Sequence, residues 1–527
     1  AYEAAGYKNA FVVKVLPDTA DPMDIRYNMV NWVHRSTRGW SYGASITDPR
    51  TGEIIKGQVT LGSLRVRQDY LIFTGLLSPF TEEQLISPEL YKPENDPMRV
   101  AALQRLRQLA AHEIGHTLGL QHNYASSFNN RASVMDYPHP NVFVNSKGEI
   151  DFTQVYTNEI GEWDKRAIMY GYSIFPNNSI GNNTGTQSPL APNNPKPQPT
   201  IFGVLDNENS ALNAMLAENT SKGLLFIADA DARAAGGMHP KAHLWDNGND
   251  AVDELKNVIQ VRQKAMAQFS EKAIRMNTPL SKLEDVLVPV YNYHRYQLEA
   301  ACKLIGGMNY SYSVRGDKQQ TPQVLPNAMQ QKALLAALDC LSPEMLTMPD
   351  RIMQLIPPRP PMYYGVGELF QKRTGMSFDP LAAAEALTDY ELGFLFHPER
   401  ANRLVQFKAQ ANTIGWDDVL DAIINKTWKT ALEKGLKAEV QLQTQQMVLT
   451  EMLSLSQNDN ANYMVKAICF DRLASLKKYA EQMKNTSAQK AHYSYAIERI
   501  NKPKDIPQPA HKDIPPGAPI GCDWDEN

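Results

Sequence analysis

The sequence is sparing with cysteine, has no long apolar run and carries no excess of either charge. Its four cysteines, Cys302, Cys340, Cys469 and Cys522, are far apart. None forms a CxxC pair, which excludes a cysteine zinc ribbon, and four in 527 residues do not make a disulfide framework. Cys302 and Cys340 are compatible with a disulfide and with two buried thiols alike. No stretch reaches about 18 uninterrupted apolar residues, so a transmembrane helix is not expected. Lys and Arg number 53 against 57 Asp and Glu, giving a net charge of −4 with no sustained basic stripe. That balance argues against a nucleic-acid partner. The N-terminal AYEAAGYKNAFVVKVLPD lacks a basic region followed by an apolar core, so it does not read as a signal peptide. It opens without Met inside what reads as a folded element, which suggests a processed or truncated chain. There is no internal repeat of fixed period.

What is present divides along the chain. Residues 1 to about 90 read as mixed structure. In DIRYNMVNWVHRST (Asp24 to Thr37), Met29, Val30 and Val33 fall at near-helical spacing and favour an amphipathic helix over a short strand. QVTLGSLRVR alternates apolar and polar residues twice, with a slip of phase at Gly62 and Ser63, the pattern of a bulged or kinked strand. DYLIFTGLL is an apolar run that fits a continued sheet or a helix. A long helix is then expected from Asp96, the candidate N-cap, with Pro97 at its first position. Val100, Leu103, Leu106, Leu109 and Ala110 form its apolar stripe, and Gly119 is placed to end it. Residues 176–200, rich in Asn, Pro, Gly and Ser, read as a linker or long loop. Residues 201–500 read as mostly helical, and 501–527 as a Pro-rich extended tail.

The chemistry concentrates in HEIGHTLGLQH, residues 112–122. On a helix, His112 and His116 share a face at i and i+4 and can bind one zinc ion together. Glu113 can reach a metal-bound water without being a ligand, the position of a general base. His122 is a third candidate ligand, but ten helical residues would carry it about 15 Å away. The chain must turn back, and Gly119 permits the positive φ that this needs. Three protein ligands leave a position open for water, as in catalytic rather than structural zinc sites. At average residue usage, this five-residue pattern arises by chance on the order of 10⁻⁵ times per chain of this length.

Downstream, ASVMDYPHP places Met135 thirteen residues after His122. With HEIGHTLGLQH followed by SVMDY, the sequence resembles the metzincin clan of zinc endopeptidases. The resemblance makes Met135 the methionine of a turn that floors the zinc histidines. It makes Tyr137 a tyrosine that binds zinc or stabilises the oxyanion, a role no better founded on sequence than that of a structural hydroxyl. EIGEWDKRAIMYGYS resembles the clan's C-terminal helix, with Asp164, Ile168, Tyr170 and Gly171 as counterparts. GQVTLGSLRVR stands in the order of the clan's edge strand above the cleft. This likeness covers about residues 20 to 175. Taken whole, with HLWDNG and PPGAPIG, the layout resembles large bacterial secreted zinc-dependent metalloproteases that carry a helical C-terminal extension.

These readings imply an α+β fold: a metzincin-like catalytic domain (mixed sheet plus active-site helix) over 1–175, then the helical region. They imply Zn²⁺ held by His112, His116 and His122, Glu113 as base, and hydrolysis of protein or peptide substrates at an extracytoplasmic location. Substrate backbone is expected to pair with the strand at Val59 to Leu61. Two departures from the clan are visible. No upstream cysteine before a Gly-rich stretch is available to mask zinc, and no Asp/Gly-rich calcium repeat occurs. The cluster Asp229, Asp231, His239, His243, Asp246 and Asp250 reads as a polar loop rather than a second metal site. A zinc amidase acting on cell-wall peptides and a catalytically inactive binding protein are the rival readings. Substrate, latency and oligomeric state are left open.

Overall fold

The computed structural model describes residues 1–34, 41–81, 96–174, 206–232, 234–319, 322–360, 368–486, 488–503, 509, 511, 514 and 515. The expected linker at 176–200, Cys522 and nearly all of the tail lie outside them. The fold is α+β, a small mixed sheet followed by many helices.

Three strands, β1 (Met29–Val33), β2 (Tyr42–Thr47) and β3 (Ile54–Gly62), form a sheet in the order β1-β3-β2. β1 runs parallel to β3, with Met29 opposite Gln58 and Val33 opposite Gly62, and β2 runs antiparallel to it. The helix expected around Asp24–Thr37 is therefore not formed where it is described: Met29–Val33 is a strand and Asp24–Asn28 is turn and coil. The reason is long-range. Buried Lys56 donates from Nζ to the carbonyls of Pro22, Asp24 and Tyr27, which fixes that stretch in a non-helical path. Asn28 Oδ1 accepts the Gly57 N–H and starts the parallel register.

The phase slip at Gly62 and Ser63 is not a kink. The strand ends at Gly62, and helix α1 (Leu64–Leu77) begins directly after it. β3 is also the central strand, flanked by β1 and β2, not the open edge. Helix α2 (Pro97–Thr117) begins as the sequence implies, with Pro97 at its start and Asp96 Oδ1 accepting from Met98 and Arg99 N–H. Val59, Leu61 and Leu109 pack α2 onto the sheet. Helix α3 (Glu162–Tyr172) follows a short hairpin.

The regions on either side of residues 176–200 share a core. Phe73 and Leu76 of α1 and Met98 and Ala101 of α2 pack with Val258, Val261, Leu287 and Val290. A second apolar cluster, including Trp416, Trp428, Leu449 and Met452, holds the later helices. Cys302, Cys340 and Cys469 are buried free thiols.

Candidate metal centre

α2 delivers His112 and His116 one turn apart and stops at Thr117. Gly119 takes φ +83°, and the chain folds back so that Leu120 O accepts from His116 Nδ1 at 2.9 Å. That return brings His122 beside the other two. Their ligand atoms all lie within 4.8 Å of one another. His112 Nδ1 donates to Val134 O at 2.7 Å, and His122 Nδ1 to Asp229 Oδ1 at 2.9 Å. Each Nδ1 meets only an acceptor, so each must carry the hydrogen, and every Nε2 presents a lone pair.

This fits a divalent cation. Nε2 of His112 and His116 lie 3.1 Å apart, a spacing that two ligands of one ion can take. Two nitrogens at zinc's usual bond length and a tetrahedral angle stand roughly 3.3 Å apart. Burial, reinforced by the neighbouring His116 and His122, holds the His112 pKa well below the ordinary imidazole range. Burial and then His122 bring His116 down to about 4. Both imidazoles are neutral at neutral pH, the form that can ligate a metal.

Met135 is fully buried. A Cβ on Gly115 would come 2.3 Å from Met135 Sδ, so only glycine lets the sulfur sit against α2. The turn is held from below by α3. Asp164 accepts from Ser133 Oγ at 2.6 Å, Val134 N at 2.8 Å and Gly161 N at 2.7 Å. Asp164 thus fixes Val134, whose carbonyl fixes His112. Of the other α3 positions singled out in the sequence, Ile168 is buried and Tyr170 exposed.

Tyr137 reaches the centre directly. Its hydroxyl lies 3.0 Å from His122 Nε2, and its ring stacks on His112 at 4.8 Å. Behind it Trp245 stacks at 5.2 Å with a 13° interplanar angle, and Arg65 and Arg105 lie over the indole. Glu113 is fully buried next to His112 on α2. Strand β2 presses on its main chain, where a Cβ on Gly43 would lie 2.0 Å from Glu113 O.

The polar loop at 228–250 does more than satisfy itself. Asp231 accepts from Met238 and His239 N–H, and Asp250 caps the helix Ala251–Gln268. Among the described residues, these side chains form no metal-sized cluster of their own. But Asp229 and Trp245 belong to the site's surroundings, which the local sequence pattern did not show. Their partners are 107 and 108 residues away in the chain. The one other group of suitable geometry among the described residues is Asp389, Glu451 and His511, remote in sequence from this centre.

A family model described as Met-zincin matches residues 94–435. The chain belongs to the Met-zincin family. Membership makes it a zinc metallopeptidase, and the His112, His116 and His122 group is one place in this Met-zincin with the geometry to hold a metal ion. The matched span begins at residue 94, runs across residues 176–200 and continues well into the helical region. No curated protein and no solved structure gives a significant match. No helix among the described residues is long and apolar enough to cross a membrane.

Proposed function

We propose that this Met-zincin is an endopeptidase in which His112, His116 and His122 hold zinc and Glu113 is the general base. The observation that carries the reading is the convergence of the ligand atoms of three histidines, with buried Glu113 next to His112 along the helix. Zinc, when bound, acidifies a water towards a pKa of about 7 and polarises a carbonyl oxygen. Glu113 takes the proton from the attacking water. As the scissile C–N bond breaks, it passes that proton to the leaving amine. The Tyr137 hydroxyl, beside the ligand set, donates to the carbonyl oxygen as negative charge builds there. Met135 is the floor of a Met-turn, packed on Gly115.

Substrate pairs with the outer edge of β2 rather than with Val59–Leu61, because both edges of β3 are occupied and β2 adjoins Glu113. The functional unit includes the helical region, since core and site both draw on it. We place the protein outside the cytoplasm on its resemblance to secreted metalloproteases of this layout.

The test is mass spectrometry of a peptide library and of cell-wall fragments, each incubated with zinc-loaded protein and with chelator-stripped protein. Internal peptide-bond cleavage that the chelator abolishes and zinc restores is expected. No cleavage of peptides by a zinc-loaded chain, or cleavage of cell-wall fragments alone, would overturn the endopeptidase reading.

A further inference from the structure

Two of the three histidines are oriented by main-chain carbonyls, Val134 O and Leu120 O. His122 is not. Its Nδ1 donates to a carboxylate, Asp229 Oδ1, at 2.9 Å, from a residue 107 positions on in the chain. We propose that Asp229 is a positioning residue of the zinc site, contributed by the helical region. The inference rests on the zinc-site reading above.

Three features support it. A charged acceptor fixes the Nδ1–H tautomer and makes Nε2 a more basic ligand than a neutral carbonyl does. The carboxylate is itself held, because the Tyr124 hydroxyl lies 3.3 Å from the same oxygen. And the chain leading to Asp229 is pinned to the residues that follow His122. Tyr124 N donates to Ile227 O at 2.9 Å, and Asn123 Nδ2 to Leu225 O at 2.8 Å. Asn123 Oδ1 also accepts from Ile227 N at 3.2 Å. The segment 225–229 and the ligand segment 122–124 therefore form one hydrogen-bonded unit. His122 has almost no exposed surface, while the Asp229 side chain is 43% exposed. Water screens the pair at that exposure, so its contribution lies in ligand orientation and basicity rather than in fold stability. Zinc binding and docking of the helical region are coupled through this contact.

Full-length wild type, Asp229→Ala, Asp229→Asn and Tyr124→Phe are titrated with zinc against a competing chelator, and the unfolding of each zinc-free protein is measured alongside. Asp229→Ala should weaken zinc by roughly 10- to 100-fold, as removal of such outer partners does. Asp229→Asn keeps an acceptor and loses the charge, so it should fall between Asp229→Ala and wild type. Tyr124→Phe should weaken zinc least. The zinc-free proteins should unfold alike, which a merely structural role would not give. An Asp229→Ala protein whose zinc affinity stays within about twofold of wild type would overturn the proposal. If Asp229→Ala does not fold, Asp229→Asn decides: weaker zinc supports the assignment, and wild-type affinity overturns it. A wild type that binds no zinc refutes the metal-centre reading itself and this inference with it. A wild type that binds one zinc with both Asp229 variants unchanged refutes this inference alone.

Discussion

At Gly43 the sheet lies tight against the helix that carries His112 and Glu113, and Gly43→Ala isolates that contact. The added Cβ would lie 2.0 Å from Glu113 O and 2.7 Å from its carbonyl carbon. An ordinary carbon–oxygen contact is about 3.3 Å or more, so β2 and α2 must separate by roughly 1.3 Å. Neither side yields easily. The obstructing atoms are helix main chain, and Gly43 is paired with Val59 in the antiparallel ladder. Overpacking of this kind costs about 1–3 kcal/mol. A shift of about 1 Å at a reacting group costs on the order of 100-fold in rate. The variant should therefore lose about 1–3 kcal/mol in urea unfolding and on the order of 100-fold in kcat/KM on a cleaved peptide. Its zinc content should hold, because the anchors at Val134, Leu120 and Asp229 lie on other segments. Gly57→Ala is the matched control. Its Cβ would meet Thr117 Cβ at 3.0 Å, which needs only a few tenths of an ångström of give. That variant should lose less than about 1 kcal/mol. If Gly43→Ala proves as stable and active as Gly57→Ala, the placement of β2 against Glu113 is refuted.

Asp164→Ala removes the acceptor of three hydrogen bonds at a buried site, so Ser133 Oγ, Val134 N and Gly161 N lose their partner. A loss of at least about 2 kcal/mol is expected in chemical denaturation, with weaker zinc binding because Val134 orients His112. Unchanged zinc affinity would break the proposed link from Asp164 to His112. A pH prediction comes from His139, whose pKa burial lowers to about 4. A depressed imidazole binds its proton more readily when unfolded. Its stabilising effect is thus complete above about pH 6.5 and is lost as pH falls towards 4, by up to about 1.4 kcal/mol per unit. Asp136, raised to about 6 by burial, acts in the opposite direction as pH falls from 6. His139→Gln removes the histidine term alone, so its stability should fall less steeply between pH 6.5 and 4 than that of wild type. Parallel curves would contradict the assignment.

The centre was legible in sequence because its geometry is local. His112 and His116 need only a helix, and His122 needs only the reversal that Gly119 allows. Met135, Tyr137 and Asp164 could be singled out because they stand at short, patterned distances from that motif. What the sequence hid is set by long-range pairing. Met29–Val33 has spacing that suits a helix, yet it becomes a strand because Lys56 ties down the chain before it and β3 supplies its partner. The slip at Gly62 and Ser63 marks a strand-to-helix junction, which alternation alone does not separate from a bulge. Strand order is not written in strand composition, so nothing in the β3 segment itself marks it as central rather than an edge. Asp229 lay inside a cluster noticed for its acidity, but its partner is a hundred residues away and no local pattern points there.

In the proposed mechanism Glu113 moves the proton at a zinc site built by His112, His116 and His122. Glu113→Gln tests it most directly, because the amide keeps the shape of the side chain and cannot accept a proton as the carboxylate does. Zinc content and peptide hydrolysis are measured on the same preparation. One zinc per chain is predicted, with hydrolysis lowered by at least about 100-fold, the lower bound for losing a general base. A zinc-loaded Glu113→Gln protein that cleaves peptides at the wild-type rate would contradict it.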